Sequence, residues 1–274
     1  MGNQNMKFNS LSDSEFKKLI SRRNEHLINA GLLALMTFFL FFSLSQMNIN
    51  PARIARGTTT MLNLISDMFP PDLAQASRLW PLAVESVQIA ILGTVLGIIF
   101  SLILSMFAAK NLTPIPGLGV VLKGFFAFTR AVPALVWALL FITAVGLGTL
   151  PGILALGVNS IGMLGKVFSE SFENIDKSTL EGLNSTGASR LQVFFQGVVP
   201  ETIPVILSWS LFRFDINIRY SSILGVVGAG GIGWELVRAS RMRDYPALLM
   251  VIMVILIMVY ALEQFTSYAR KVVR

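Results

Sequence analysis

Cysteine is absent and histidine occurs once, at His26. The first absence excludes disulfides and thiolate-held metal or iron–sulfur centres; the second excludes a histidine-based catalytic triad, since the one imidazole precedes the first long apolar run. Charge is scarce too, with 14% of residues charged against 54% hydrophobic. Together with a mean hydropathy of +0.67, that balance is far from a soluble domain's and assigns the chain to a bilayer. There is no G-x-x-x-x-G-K-[ST] segment, because Gly165-Lys166-Val167 lacks both the upstream glycine and the hydroxyl. ATP hydrolysis by the P-loop route is therefore excluded for this chain. No cluster of acid, base and metal ligands, no repeat of about 20 to 50 residues and no low-complexity tract stands out.

What the chain does have is a series of apolar runs, and about 20 such residues suffice to cross roughly 30 Å of hydrocarbon as helix. Six can be read: Leu27 to Met47; Val87 to Ala109; about Gly124 to Val145; Ile153 to about Phe168; Val198 to Tyr220, interrupted by Arg213, Asp215 and Arg219; and Ala247 to Phe265. The third includes Arg130 as a side chain snorkelling at its inner end. Between the third and fourth, Gly146 to Gly152 has turn chemistry. The runs are apolar on all sides and nearly twice the length of barrel strands, so the expected fold is all-α, a polytopic helical membrane protein with about six transmembrane helices. The first run follows a polar stretch and lacks a small-residue cleavage site, so it is expected to remain as an anchor.

Basic residues favour the cytoplasmic side of span ends. With the N-terminus inside, every lysine is cytoplasmic: Lys7, Lys17, Lys18, Lys110, Lys123, Lys166, Lys177 and Lys271. The outer segments then carry arginines only, at Arg53, Arg56 and Arg78 and at Arg238, Arg241 and Arg243. The implied organisation is a cytoplasmic segment 1–26, a first helix 27–47, an outer loop 48–84 and a core 85–274 with a cytoplasmic loop 170–200. In the outer loop Ile54, Met61, Leu62, Ile65, Met68 and Phe69 share one helical face, as expected of a helix on the membrane surface or against a partner, ended by Pro70-Pro71. The net charge of +7 is scattered at membrane flanks and forms no stripe for nucleic acid; lipid contact and topology account for it.

The polar insert from Glu181 to Pro200 lies between apolar runs. Ser178-Thr179-Leu180-Glu181 reads as a capping box, Gly187 fits the left-handed position that ends a helix, and Pro200 suits the first turn of the next. Glu181, Gly187 and Pro200 also stand at the spacing of the Glu-Ala-Ala, three residues, Gly, nine residues, Ile, one residue, Leu-Pro loop of bacterial ABC importer permeases. Gly182, Leu183, Gly197 and Val199 depart from it. The chain thus resembles a type I ABC importer permease, a resemblance that implies a coupling helix seated in a groove of a separate ATPase, which binds ATP and Mg. Ser178, Glu181, Gly187 and Pro200 become the candidate coupling residues.

From about Leu82 to the C-terminus, Arg130-Ala131-Val132-Pro133, Gly146-Leu147-Gly148, Gly165-Lys166, Ser169-Glu170, Ser210 to Phe214 and Gly228 to Gly233 resemble the phosphonate-type permeases. That implies a phosphonate or a related phosphorus oxyanion such as phosphite or hypophosphite as cargo, with an external, periplasmic substrate-binding protein. Six spans are few to enclose a path, so a twofold homodimer over two ATPases is expected. The alternatives are a methionine-type or other small-solute permease, or an ion-coupled carrier. The carrier requires buried carboxylates and repeats; Asp215 is its one candidate.

Gly228, Gly230 and Gly233 match G-x-G-x-x-G, but a dinucleotide site needs a soluble βαβ unit and a following acid. The cluster, with Gly231, reads instead as an outer gate or re-entrant turn, or as close helix packing alone. Arg213, Asp215 and Arg219 are either groups lining an anion's pathway or ion pairs between Arg213 and Asp215 or Asp215 and Arg219.

Overall fold

The computed structural model describes residues 13–47, 50–113 and 115–273. Lys7 and the rest of residues 1–12 lie outside it, as do the side chains of residues 13–24, 177, 179, 180, 184, 190, 272 and 273. The contacts divide the chain into two units, one up to Asn63 and one from Leu64.

The first unit holds α1 (Asp13–Gln46) and most of α2 (Pro51–Asp67). Residues 25–46 of α1 are long and apolar enough to cross a membrane, and none of them is buried. The Asn50 side chain accepts the Ala52 N–H at 3.0 Å and so starts α2. The helix ends ahead of Pro70-Pro71, as expected, because neither proline offers an N–H to continue it.

The second unit is a helical bundle: α3 (Ala76–Ala108), α4 (Leu118–Ala131), α5 (Ala134–Val145), α6 (Thr149–Glu173), α7 (Lys177–Ser185), α8 (Arg190–Val193), α9 (Val199–Leu224), α10 (Gly233–Met242) and α11 (Tyr245–Val273). Helix α6 is its centre. Helix α3 crosses it closely, because a Cβ on Gly93 would stand 2.7 Å from Leu156 Cβ and one on Gly157 2.6 Å from Leu96 Cδ2. Without a hydrophobic drive between helices in lipid, such small-residue contacts are what brings backbones together. Beside it, Phe168, Phe172, Phe194, Val198 and Ile206 join α6, α9 and the turn before α9 in one apolar cluster.

The third apolar run is not one straight helix. Helices α4 and α5 meet at 91° across Val132-Pro133, so the described residues contain five helices able to span a membrane, or six if the bent pair is one span. The cause is Pro133. The Thr129 carbonyl would bond to the N–H of residue 133, which proline lacks. The Trp137 indole N–H takes that place, donating to Thr129 O at 3.2 Å, while Asn159 Nδ2 donates to Val132 O at 3.3 Å. Arg130 consequently sits at this break, not at the end of a span as the hydropathy pattern suggests.

Candidate functional site

A polar layer crosses the bundle at half its thickness. Asn159 lies about 15 Å along α6 from Thr149 and about 21 Å from Glu173, at 1.5 Å per residue. Arg213 occupies the middle of α9, and Thr94 the middle part of α3. The Arg213 guanidinium, 4% exposed, donates from Nε to Ser160 Oγ at 2.8 Å, from Nη2 to Asn159 Oδ1 at 2.6 Å and from Nη1 to Met163 Sδ at 3.6 Å. Asn217, one turn on, donates from Nδ2 to Thr94 Oγ1 at 2.8 Å and to Ser160 Oγ at 3.0 Å. The two hydroxyls pass their own protons back along their helices, Ser160 to Leu156 O and Thr94 to Ala90 O. Among the described residues no carboxylate lies within 4 Å of Arg213. The layer therefore holds a buried positive charge on neutral acceptors.

Asp215 turns away from Arg213. Two residues along a helix is about 200° of rotation, so the two cannot face each other, whereas positions four apart do. Asp215 accordingly pairs with Arg219 at 2.8 Å, and Arg219 also approaches Glu263 of α11 at 3.7 Å. Of the two pairings open in the sequence, Asp215 with Arg219 is the one formed.

At one end of the bundle the glycine-rich turn follows α9. Gly228, Gly230 and Gly231 have φ of +90°, +81° and +79°, values that a side chain resists. The turn is tied to its neighbours through its backbone. Gly231 N–H donates to Glu85 Oε1 at 3.1 Å, Ile232 N–H to Ser86 Oγ at 2.9 Å, and Gly148 N–H to Gly228 O at 3.1 Å. Gly233, in the same patch, begins α10 and packs on Ser222 and Gly225. Glu235 on α10 pairs with both Arg78 and Arg238. A cavity of about 270 Å³ opens beside the turn, between Leu82, Glu85, Leu147 and Trp234.

At the opposite end of α6, Glu173 accepts from the Lys110 backbone N–H at 2.8 Å and from Lys123 Nζ at 2.7 Å. It thereby ties α3 and α4 to the point where the polar insert departs. The expected capping box at Ser178 and Glu181 is not formed. Helix α7 starts two residues earlier than a Ser178 cap would set it, with Asp176 Oδ1 accepting the Ser178 N–H at 3.1 Å, and Glu181 is exposed. The reciprocal box stands further on, where Ser189 N–H donates to Gln192 Oε1 at 2.8 Å and Gln192 N–H to Ser189 Oγ at 3.4 Å. Gly187, at φ +76°, does occupy the left-handed position after α7. A π turn, Phe194–Val198, leads directly into α9. This wider turn accommodates Pro200, whose ring would crowd the carbonyl four residues back in a regular helix.

The insert also accounts for two of its departures from the importer pattern, Leu183 and Gly197. A Cβ on Gly197 would run into Leu183 Cδ1. The large residue here comes from α7 and the small one from the π turn, the reverse of the Ala and Ile of the pattern, so volume is conserved across the contact.

Residues 97–268 match the family model described as binding-protein-dependent transport system inner membrane component. The chain belongs to this family. It is an inner-membrane, multi-pass permease component of an ABC importer, a class that works with an ATP-binding ATPase and a substrate-binding protein, and it is not itself catalytic. The permease is 40% identical over 222 residues to the phosphate-import permease protein PhnE of Mycolicibacterium smegmatis, covering 81% of this chain and 42% of that one. It is 35% identical to the phosphite transport system permease protein PtxC of Stutzerimonas stutzeri, covering 81% of each. In fold it is similar to the inward-facing MetNI methionine ABC transporter, with a TM-score of 0.64 at 16% identity over 74% of this chain and 99% of that chain.

The three sets of candidate residues are not brought together. The coupling set lies at one end, the glycines at the other, and Arg213 between them. Sequence reasoning missed Asn159, Ser160, Asn217 and Thr94, although Asn159-Ser160 inside an apolar run was a readable signal. Glu85 and Ser86, 146 positions from the turn they hold, carried no local signal at all.

Proposed function

We propose that the permease imports a phosphonate or a related phosphorus oxyanion, such as phosphite or hypophosphite, as a twofold homodimer over two ATPases. It alternates between inward-open and outward-open forms, with both termini cytoplasmic. The observation that carries this reading is the carboxylate-free guanidinium of Arg213 at half depth, in a chain whose relatives are named for phosphate and phosphite. Arg213 belongs to the pathway's positive lining, whereas Asp215 and Arg219, paired on the other side of α9, join it to α11 through Glu263. The segment of Ser178, Glu181, Gly187 and Pro200 forms the coupling element, in which Glu181 faces the ATPase. The turn of Gly228, Gly230, Gly231 and Gly233 is the outer gate, latched by Glu85.

The test is uptake by the complete complex, with its ATPase and binding protein, in proteoliposomes. Phosphite, methylphosphonate or phosphate is expected to accumulate with ATP and not without it, and methionine is not. Uptake of methionine alone would overturn the cargo, and uptake without any ATPase the energy source.

A further inference from the structure

The cargo reading makes Arg213 part of a positive lining, yet each of its three nitrogens already donates to a neighbour, Ser160, Asn159 or Met163. Asp215 and Arg219 are occupied with one another. One arginine at the same depth is different. Arg130 lies in the last turn of α4, immediately before the 91° break. Its side chain is exposed, and among the described residues no carboxylate comes within 4 Å of it.

Its depth follows from the contacts around it. A Cβ on Gly162 would stand 2.8 Å from Arg130 N, so the backbone of Arg130 rests directly on the middle of α6. Three positions earlier Asn159 reaches the Val132 carbonyl in the break itself. Helices α4 and α5 have 14 and 12 residues, about 21 and 18 Å of helix, and neither crosses roughly 30 Å of hydrocarbon alone. The junction, and Arg130 with it, is at mid-depth. A guanidinium there facing lipid is among the most unfavourable placements a side chain can have; one facing an aqueous path is stable and aims its donors at whatever anion passes.

The mounting is rigid. Trp137 and Asn159 satisfy the Thr129 and Val132 carbonyls that the break sets free, and Thr129 is buried with its hydroxyl on Phe125 O and Phe126 O. Asn159 uses its other end to accept from Arg213. One asparagine thus connects the break just after the exposed arginine to the buried arginine's head, and both positive charges bear on the same level of the bundle.

We propose that Arg130 is the mid-depth contact for the transported oxyanion. Its planar fork matches two oxygens of a tetrahedral P–O group, and Asn159 and Trp137 act as positioning residues that hold the broken backbone beneath it. This rests on the oxyanion reading above but concerns a residue that reading does not use.

Two measurements on the full complex test it. In proteoliposomes with phosphite as probe, Arg130→Gln is expected to lower uptake by about tenfold or more, Arg130→Lys by less, with assembly and ATP hydrolysis within about twofold of the unaltered complex. Unchanged uptake by Arg130→Gln overturns the proposal. Because the chain has no cysteine, Arg130→Cys offers this subunit's one thiol to a membrane-impermeant, sulfonate-bearing methanethiosulfonate. Modification of that thiol is expected; no modification means a lipid-facing or sealed position and overturns the proposal. If the unaltered complex carries none of phosphite, methylphosphonate and phosphate, the cargo reading fails, and the labelling result still decides whether position 130 meets the aqueous path.

Discussion

The polar layer at mid-depth and the insert from Asp176 to Pro200 solve opposite problems with the same residue types. In the layer, where water is scarce, Thr94, Asn159, Ser160 and Asn217 point inward and bond to one another or to Arg213. In the insert, Asp176, Ser189 and Gln192 are exposed and spend their hydrogen bonds on nearby backbone, starting helices locally. Its hold on the bundle is apolar, through Phe194 and Val198, with the Phe194 ring edge-on to Phe172 at 5.4 Å. A polar group inside the bundle depends on partners far away in sequence, whereas one on the insert depends on its own neighbours and leaves the surface open for another subunit.

That contrast can be tested by making equally small changes in both places. The largest loss of stability is expected from Asn159→Leu, which removes an acceptor from a buried guanidinium and a donor from the α4–α5 break; about 3 kcal/mol is the scale, read as a lowered unfolding midpoint of the purified permease. Next comes Gly197→Ile. Its side chain collides with Leu183, at about 2 kcal/mol, and adding Leu183→Ala is expected to restore most of the loss. A double-mutant cycle with no coupling would break the account of the exchanged volumes. Asp176→Ala is expected to cost about 1 kcal/mol as a lost cap, with Ser178→Ala costing less, compared by thermal unfolding of the two variants. The reverse order would return the cap to Ser178. Smallest is Glu181→Ala, within about 0.5 kcal/mol because the side chain is exposed. If the insert is the coupling element, the same change nevertheless lowers transport-coupled ATP hydrolysis, measured with binding protein present. Normal coupling would separate Glu181 from the ATPase.

Much of the bundle was readable from apolar run length. Each long run but the third became one helix, in places extended well beyond the run, as from Val87 back to Ala76 in α3. Gly187 was readable as a left-handed stop and Pro200 as an early-turn residue. The capping box was read at the wrong serine, because Ser-x-x-Glu at Ser178 and Ser-x-x-Gln at Ser189 are equally good local patterns. The difference came from Asp176, a stronger acceptor in reach of the first turn. Pro133 was visible inside the third run, but its missing N–H tells only that a helix is interrupted there. The 91° bend follows from where Trp137 and Asn159 could take up the freed carbonyls.

By itself, then, the amino-acid order determined that this is an all-helical membrane protein, because hydrocarbon admits few polar groups and a helix satisfies its backbone internally. Those are properties of each segment against its solvent. Only the tertiary structure decided that Arg213 would rest on Asn159 and Ser160, that Asp215 would turn to Arg219, that Leu183 would cover Gly197 and that Glu85 would hold Gly231. Each of these depends on which face of which helix stands at which level, and that is set by the packing of segments distant in the chain.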